Sequence, residues 1–283
     1  MNNERKISSL IRLLDDPDEY VYHQISNELM DMGHDAIPPL ERAWDDANDP
    51  LLQERIAEVV HQIEFRSIQE DLALWKLRSS FDLIKGVLII NRYGYSDLNE
   101  ELIINKIEEL KRVVWEQLEP SMTPLEQVRL LNHVFFQEFG FQGNVVNHSA
   151  PDNSYLNVVI HRKKGNQISL AILYMSIAQR LDIPIYGINL PQHFALAYTK
   201  ELDSQEVLFY INPFSRGTIF NRNSIDEFLL QLDITPQPDY YVPCNNQAIL
   251  NRIIRNLTNG YALLNDVDKV RELETLRQII QSE

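Results

Sequence analysis

The sequence predicts an α+β domain carried behind an all-α repeat segment, and three observations lead there. Residues 168–181 are apolar on nearly every side (Leu170, Ala171, Ile172, Leu173, Tyr174, Met175, Ile177, Ala178, Leu181), the composition of a helix buried all round. Three short strand-like runs follow at 185–190, 193–198 and 207–211, the last two joined by the polar stretch 199–206. A buried helix feeding strands that follow one another directly is α+β order rather than βαβ alternation. Nearer the start, Asp16-Pro17 recurs as Asp49-Pro50, 33 residues later. Each break is followed by a helix with matching apolar positions, the signature of a stacked helical repeat.

Taken in order, Ile7, Leu10, Ile11, Leu13 and Leu14 have helical spacing, and Asp15-Asp16-Pro17-Asp18 breaks that helix and offers a cap for the next. Val21, Ile25, Leu29 and Met32 share the face of a second helix that stops at Gly33. Ile37, Pro38, Pro39, Leu40, Ala43 and Trp44 open a third, and Leu52, Ile56, Val59, Val60 and Ile63 form a fourth after the second break. This opening resembles one to two HEAT-type repeats. Residues 72–118 stay helical, with Leu83, Val87, Leu88 and Ile90 on one helix and Leu102, Ile103, Ile107, Leu110, Val113, Val114 and Trp115 on the next. A further helix over 125–139 buries Val128, Leu131, Val134, Phe135 and Phe139, and Gly140-Phe141-Gln142-Gly143 releases the chain into a loop. The tail pairs an amphipathic stretch (Ile249, Leu250, Ile253, Ile254, Leu257, Tyr261) with a second over 267–280, punctuated by Asn265-Asp266. That hairpin resembles a single tetratricopeptide-type repeat. The expected division is therefore 1–70, 71–235 and 236–283.

Charge and composition narrow the function. The chain of 283 residues has a formal net charge of −15, which disfavours nucleic acid and anionic membrane, since both reward clustered Lys and Arg. Up to Trp75 there are 17 acidic residues against 6 basic, so the acidity is concentrated in the first quarter. The polar start, Met1 to Ser9, lacks the apolar core of a signal peptide. A single cysteine, Cys244, excludes an intramolecular disulfide and a multi-thiolate zinc site. A cytoplasmic protein is expected. His148, His161 and His193 lack metal-ligand spacing and no phosphate-binding glycine loop is present, so neither a metal nor another cofactor is expected.

Three segments carry the chemistry. Gly165-Asn166-Gln167-Ile168-Ser169 enters the buried helix, Pro191-Gln192-His193-Phe194 enters a strand, and Asn212-Pro213-Phe214 leaves the next one. A helix N-terminus favours a developing anion, a histidine on a neighbouring strand can take a proton, and a polar residue on the adjacent strand can orient the ring. Together with Glu138-Phe139-Gly140-Phe141-Gln142-Gly143-Asn144, Asn153-Ser154-Tyr155-Leu156-Asn157-Val158-Val159 and Ile168-Ser169-Leu170-Ala171-Ile172-Leu173-Tyr174, these motifs resemble the SirB-type transglutaminase-like family. That superfamily has a cysteine protease-like fold.

The resemblance implies that His193 occupies the histidine position, Asn212 the aspartate position and Gln167 the cysteine position. Ser169 is then the nearest hydroxyl, and it either acts as a nucleophile or caps the first turn of its own helix. Asn153 and Tyr155 border the expected cleft, with Gln192 standing where the family more often has glycine. The expected function is a non-catalytic transglutaminase-like protein that binds a protein or peptide partner. The alternative is a hydrolase or acyltransferase on a peptide or amide substrate, using Ser169, His193 and Asn212.

Overall fold

The structure, a computed structural model, describes residues 2–282 and the side chains from residue 5 onward. It divides into two compact units, Met1–Asp71 and Leu72–Glu283. The first contains α1 (Asn2–Ile11), α2 (Glu19–Asp31), α3 (Ile37–Asp46) and most of α4 (Pro50–Arg78). Its core gathers the apolar spacing of each helix: Ile7, Leu10 and Ile11 from α1, Ile25 and Leu29 from α2, Leu40 from α3, and Ile56, Val59 and Ile63 from α4. Each such side chain contributes about 1.5–3 kcal/mol on full burial. Asp18 ends the first break by accepting the Tyr20 N–H at 2.9 Å. The break is tied down by Arg55, whose buried guanidinium donates to the carbonyls of Leu14 (2.8 Å) and Asp16 (2.7 Å) and pairs with Glu19 (2.9 Å).

The second unit opens with the end of α4, then α5 (Leu83–Gly94), α6 (Glu100–Trp115) and α7 (Pro124–Asn132). Thr123 and Glu126 form a capping box at the start of α7. The single helix expected over 125–139 is in fact α7 followed by a π-helical turn, His133–Glu138. The wider turn keeps Val134, Phe135 and Phe136 buried, with the Phe135 ring stacked on Phe141. Beyond it come β1 (Gln142–Gly143), a short helix α8 (Leu156–Arg162) and β2 (Lys164–Gly165), which pairs in parallel with β1. Sequence periodicity had no means of separating α8 from the loop before it, because seven residues make too short a window.

α9 (Gln167–Gln179) is the buried helix, with every residue from Ile168 to Ala178 inaccessible. It packs against β3 (Ile185–Leu190) and β4 (His193–Thr199). With β5 (Val207–Asn212) and β6 (Thr218–Phe220) these form an antiparallel sheet in the order β3-β4-β5-β6. α10 (Arg222–Gln231) follows, capped by Asn221, and α11 (Asn246–Leu263) and α12 (Val267–Gln281) pair as a hairpin at the end. The architecture is α+β, as the sequence predicts. Strand β6 and helix α10 are additions, since three residues of strand carry no periodicity of their own. Among the described residues no helix is long and apolar enough to cross a membrane.

Candidate functional site

The hairpin β3–β4 sets the site. Ile188 pairs with Ala195 and Leu190 with His193, so the turn consists of Pro191 and Gln192 alone. Gln192 is exposed, with φ of 55°. That left-handed conformation is the one glycine adopts most easily.

Alternation decides which way His193 faces. Ile188, Leu190, Ala195, Ala197 and Tyr210 share one sheet face and pack with Ile225 and Leu229 of α10. His193, two residues before Ala195, falls on this face, and its ring lies 5.8 Å from that of Phe228 on α10. The register Leu196↔Ile211 continues to bring Asn212 to the same face, diagonal to His193. His193 and Asn212 together line a pocket of ≈ 290 Å³ whose floor is Leu190, Phe220, Ile225 and Phe228, with Ser215, Thr218 and Ser224 at its polar side. The cluster beneath that face contains no residue of α9.

Ser169 stands elsewhere. Its side chain is 1% exposed and belongs to a reciprocal capping box. Its hydroxyl oxygen accepts the Asn166 N–H at 3.1 Å, and its own N–H donates to Asn166 Oδ1 at 3.0 Å. Gly165 passes so close that a Cβ there would sit 2.5 Å from Ser169 Oγ. The hydroxyl is thus engaged within the first turn of α9, and it does not line the His193 pocket. Gln167, the first residue of α9, is likewise absent from that lining. Asn212 Oδ1 accepts the backbone N–H groups of Phe214 (3.1 Å) and Ser215 (3.2 Å). No hydrogen bond joins His193 to Asn212 or to Ser169 among the described residues.

The remaining expected positions are buried in the scaffold. Asn153 is bonded to Asn144 at 2.9 Å and to the Asn147 carbonyl. Tyr155 is 1% exposed, shares a 3.2 Å hydroxyl contact with Tyr261, and has its acidity suppressed by burial. Neither lines the pocket beside His193. Arg162, in the basic run before the buried helix, pairs with Asp152 at 2.7 Å, and Lys163 lies 4.4 Å over the Phe141 ring.

The electrostatics keep His193 neutral. Burial lowers its pKa below the ordinary 6.5, and the Arg252 guanidinium lowers it further. Arg252 reaches from α11 to the Leu190 carbonyl (3.0 Å) and to Asn189 Oδ1 (3.2 Å), and burial pushes its own pKa down to about 10. Cys244 is bonded through its N–H to the Gly187 carbonyl at 2.9 Å, and burial pushes its thiol up to about 12. A thiol so protonated at neutral pH is a poor nucleophile. No group of three or more His, Cys, Asp or Glu able to hold a metal occurs among the described residues. Sequence reasoning missed Phe220, Phe228 and Arg252. Asn221 followed by Ser224 is a helix-start signal that pointed to α10, whereas Arg252 reads as one more polar residue on an amphipathic helix.

Comparison with known proteins adds five findings. A family model described as "Transglutaminase-like superfamily" matches residues 101–255. A UPF0162 protein of Xylella fastidiosa (strain 9a5c) is 30% identical over 210 residues, covering 70% of this chain and 73% of the relative. Protein SirB1 of Salmonella typhimurium is 22% identical over 204 residues, 71% of this chain and 72% of the relative. Human F-box only protein 21 is 28% identical over 131 residues, 45% of this chain and 20% of that protein. No solved structure matches the chain.

Proposed function

The chain belongs to the transglutaminase-like superfamily, and from that membership we propose that it is a partner-binding or regulatory member in which the cleft does not turn over substrate. The observation that carries this reading is the state of Ser169. A nucleophile needs a hydroxyl or thiol within about 3 Å of a general base. Ser169 is instead engaged with Asn166 in the first turn of α9, and Gln167 stands at the position that the resemblance assigns to cysteine. The reading places the protein in the cytoplasm, with helical-repeat segments at both ends supplying contact surface.

In this account the His193 pocket receives an apolar side chain from a protein or peptide partner. Its floor of Leu190, Phe220, Ile225 and Phe228 supplies the apolar contact. A neutral imidazole offers one donor and one acceptor nitrogen, which suits a peptide group. The test is a fluorophosphonate probe applied to the full-length protein, followed by mass spectrometry of the α9 peptide. The expected result is no adduct on Ser169. An adduct that disappears in His193→Ala would establish the alternative, a hydrolase or acyltransferase working through Ser169, His193 and Asn212.

A further inference from the structure

A second concave surface lies wholly within the first unit, in the groove between α3 and α4. Glu41, Trp44 and Asp45 line it from α3, and Ile56, Val60 and Glu64, with Ala57 and His61 beside them, from α4, around a volume of ≈ 500 Å³. Both sets have helical spacing, i, i+3, i+4 on α3 and i, i+4, i+8 on α4, so the groove runs along the helices for roughly 12 Å at 1.5 Å per residue. Its floor is apolar and continuous with the core through Ile56. Trp44 remains 44% exposed at its edge, an aromatic of the kind that anchors protein contacts.

The rim is acidic. Residues 1–71 hold 17 acidic side chains against 6 basic, and three of those six already have acidic partners in the unit: Lys6 with Glu28, Arg55 with Glu19 and Arg66 with Asp31. Glu41 and Asp45 are exposed and form no ion pair among the described residues. An apolar floor two turns long between acidic flanks complements a helix with a short apolar stripe bordered by Lys and Arg.

We infer that the groove between α3 and α4 docks a basic amphipathic helix of a partner protein, which seats apolar side chains on Trp44 and Val60 and sets its cations against Glu41 and Asp45. This surface is separate from the His193 pocket and does not depend on how that pocket is read.

The test is fluorescence anisotropy of a synthetic helix with leucines on one face and lysines flanking them, titrated with the full-length chain. Saturable binding is expected, falling as NaCl is raised. Trp44→Ala is expected to weaken it by about tenfold or more, and so is the pair Glu41→Lys with Asp45→Lys. His193→Ala is expected to leave it unchanged, so the two sites fail or succeed separately. Because Glu41 and Asp45 are exposed, the charge reversals leave the fold intact, which circular dichroism checks. Absence of saturable binding, equal binding of a helix carrying Glu in place of Lys, or undiminished affinity in both groove variants would overturn the inference. A loss of binding in His193→Ala would overturn it as well, by assigning the helix to the other pocket.

Discussion

At the scale of single residues, two side chains carry opposite kinds of information. Ser169 belongs to a motif that suggests chemistry, yet its hydroxyl serves the backbone. Replacing it with alanine leaves the buried Asn166 N–H with only its longer bond to the Asn153 carbonyl, at 3.4 Å, a loss of about 0.5–1.5 kcal/mol. Ser169→Ala is accordingly expected to lower the urea midpoint while leaving ligand binding at the His193 pocket intact. His193 controls pH dependence. Above the ordinary value of 6.5 both folded and unfolded states keep the ring neutral. As the pH falls below 6.5, the unfolded chain takes up the proton first, because burial and Arg252 hold the folded-state pKa lower. Stability is therefore lost with acidification from 6.5 down to the folded pKa, and below that the loss stops growing. In His193→Gln this part of the decline is expected to vanish from urea melts between pH 7 and 5, while the carboxylate part remains. Both residues were legible in the sequence as members of a constellation. What sequence could not choose was their orientation, because one step along a strand or helix turns a side chain to another face.

Among the elements, the buried helix and its sheet were legible and their neighbours less so. A helix apolar from Ile168 to Ala178 has only one place to go, and the three longer strands show up as apolar runs bounded by turns. The close approach of α5 to its neighbours was invisible. At Gly86, inside α5, a Cβ would lie 2.6 Å from the Trp75 ring and 2.7 Å from Leu250. Helix propensity alone favours alanine over glycine by about 0.8–1 kcal/mol, but forcing atoms into a packed core costs about 1–3 kcal/mol. Packing wins, and Gly86→Ala is expected to lower the melting temperature rather than raise it. The π-helical turn at His133–Glu138 was likewise hidden, since one inserted residue per turn leaves the apolar spacing almost unchanged.

For the whole molecule, charge is divided as unevenly as structure. The first unit has a net −11, leaving −4 for the much longer remainder. Self-repulsion of like charge opposes compaction and salt screens it. Hydrogen exchange is therefore expected to show the amides of α2 and α3 gaining protection between about 20 and 300 mM NaCl, with those of α9 changing little. By itself the sequence determined the α+β class, the recurrence of Asp-Pro at an interval of 33 residues and membership of the transglutaminase-like superfamily. Those properties depend on periodicity, composition and ordered motifs, all of which are local. Only the tertiary structure decided that His193 and Asn212 share a pocket with α10, that Ser169 caps its own helix, and that Trp44 stands over a groove with acidic flanks. Each of these depends on which sheet face or helix face meets which neighbour, and packing settles that between residues far apart in the chain.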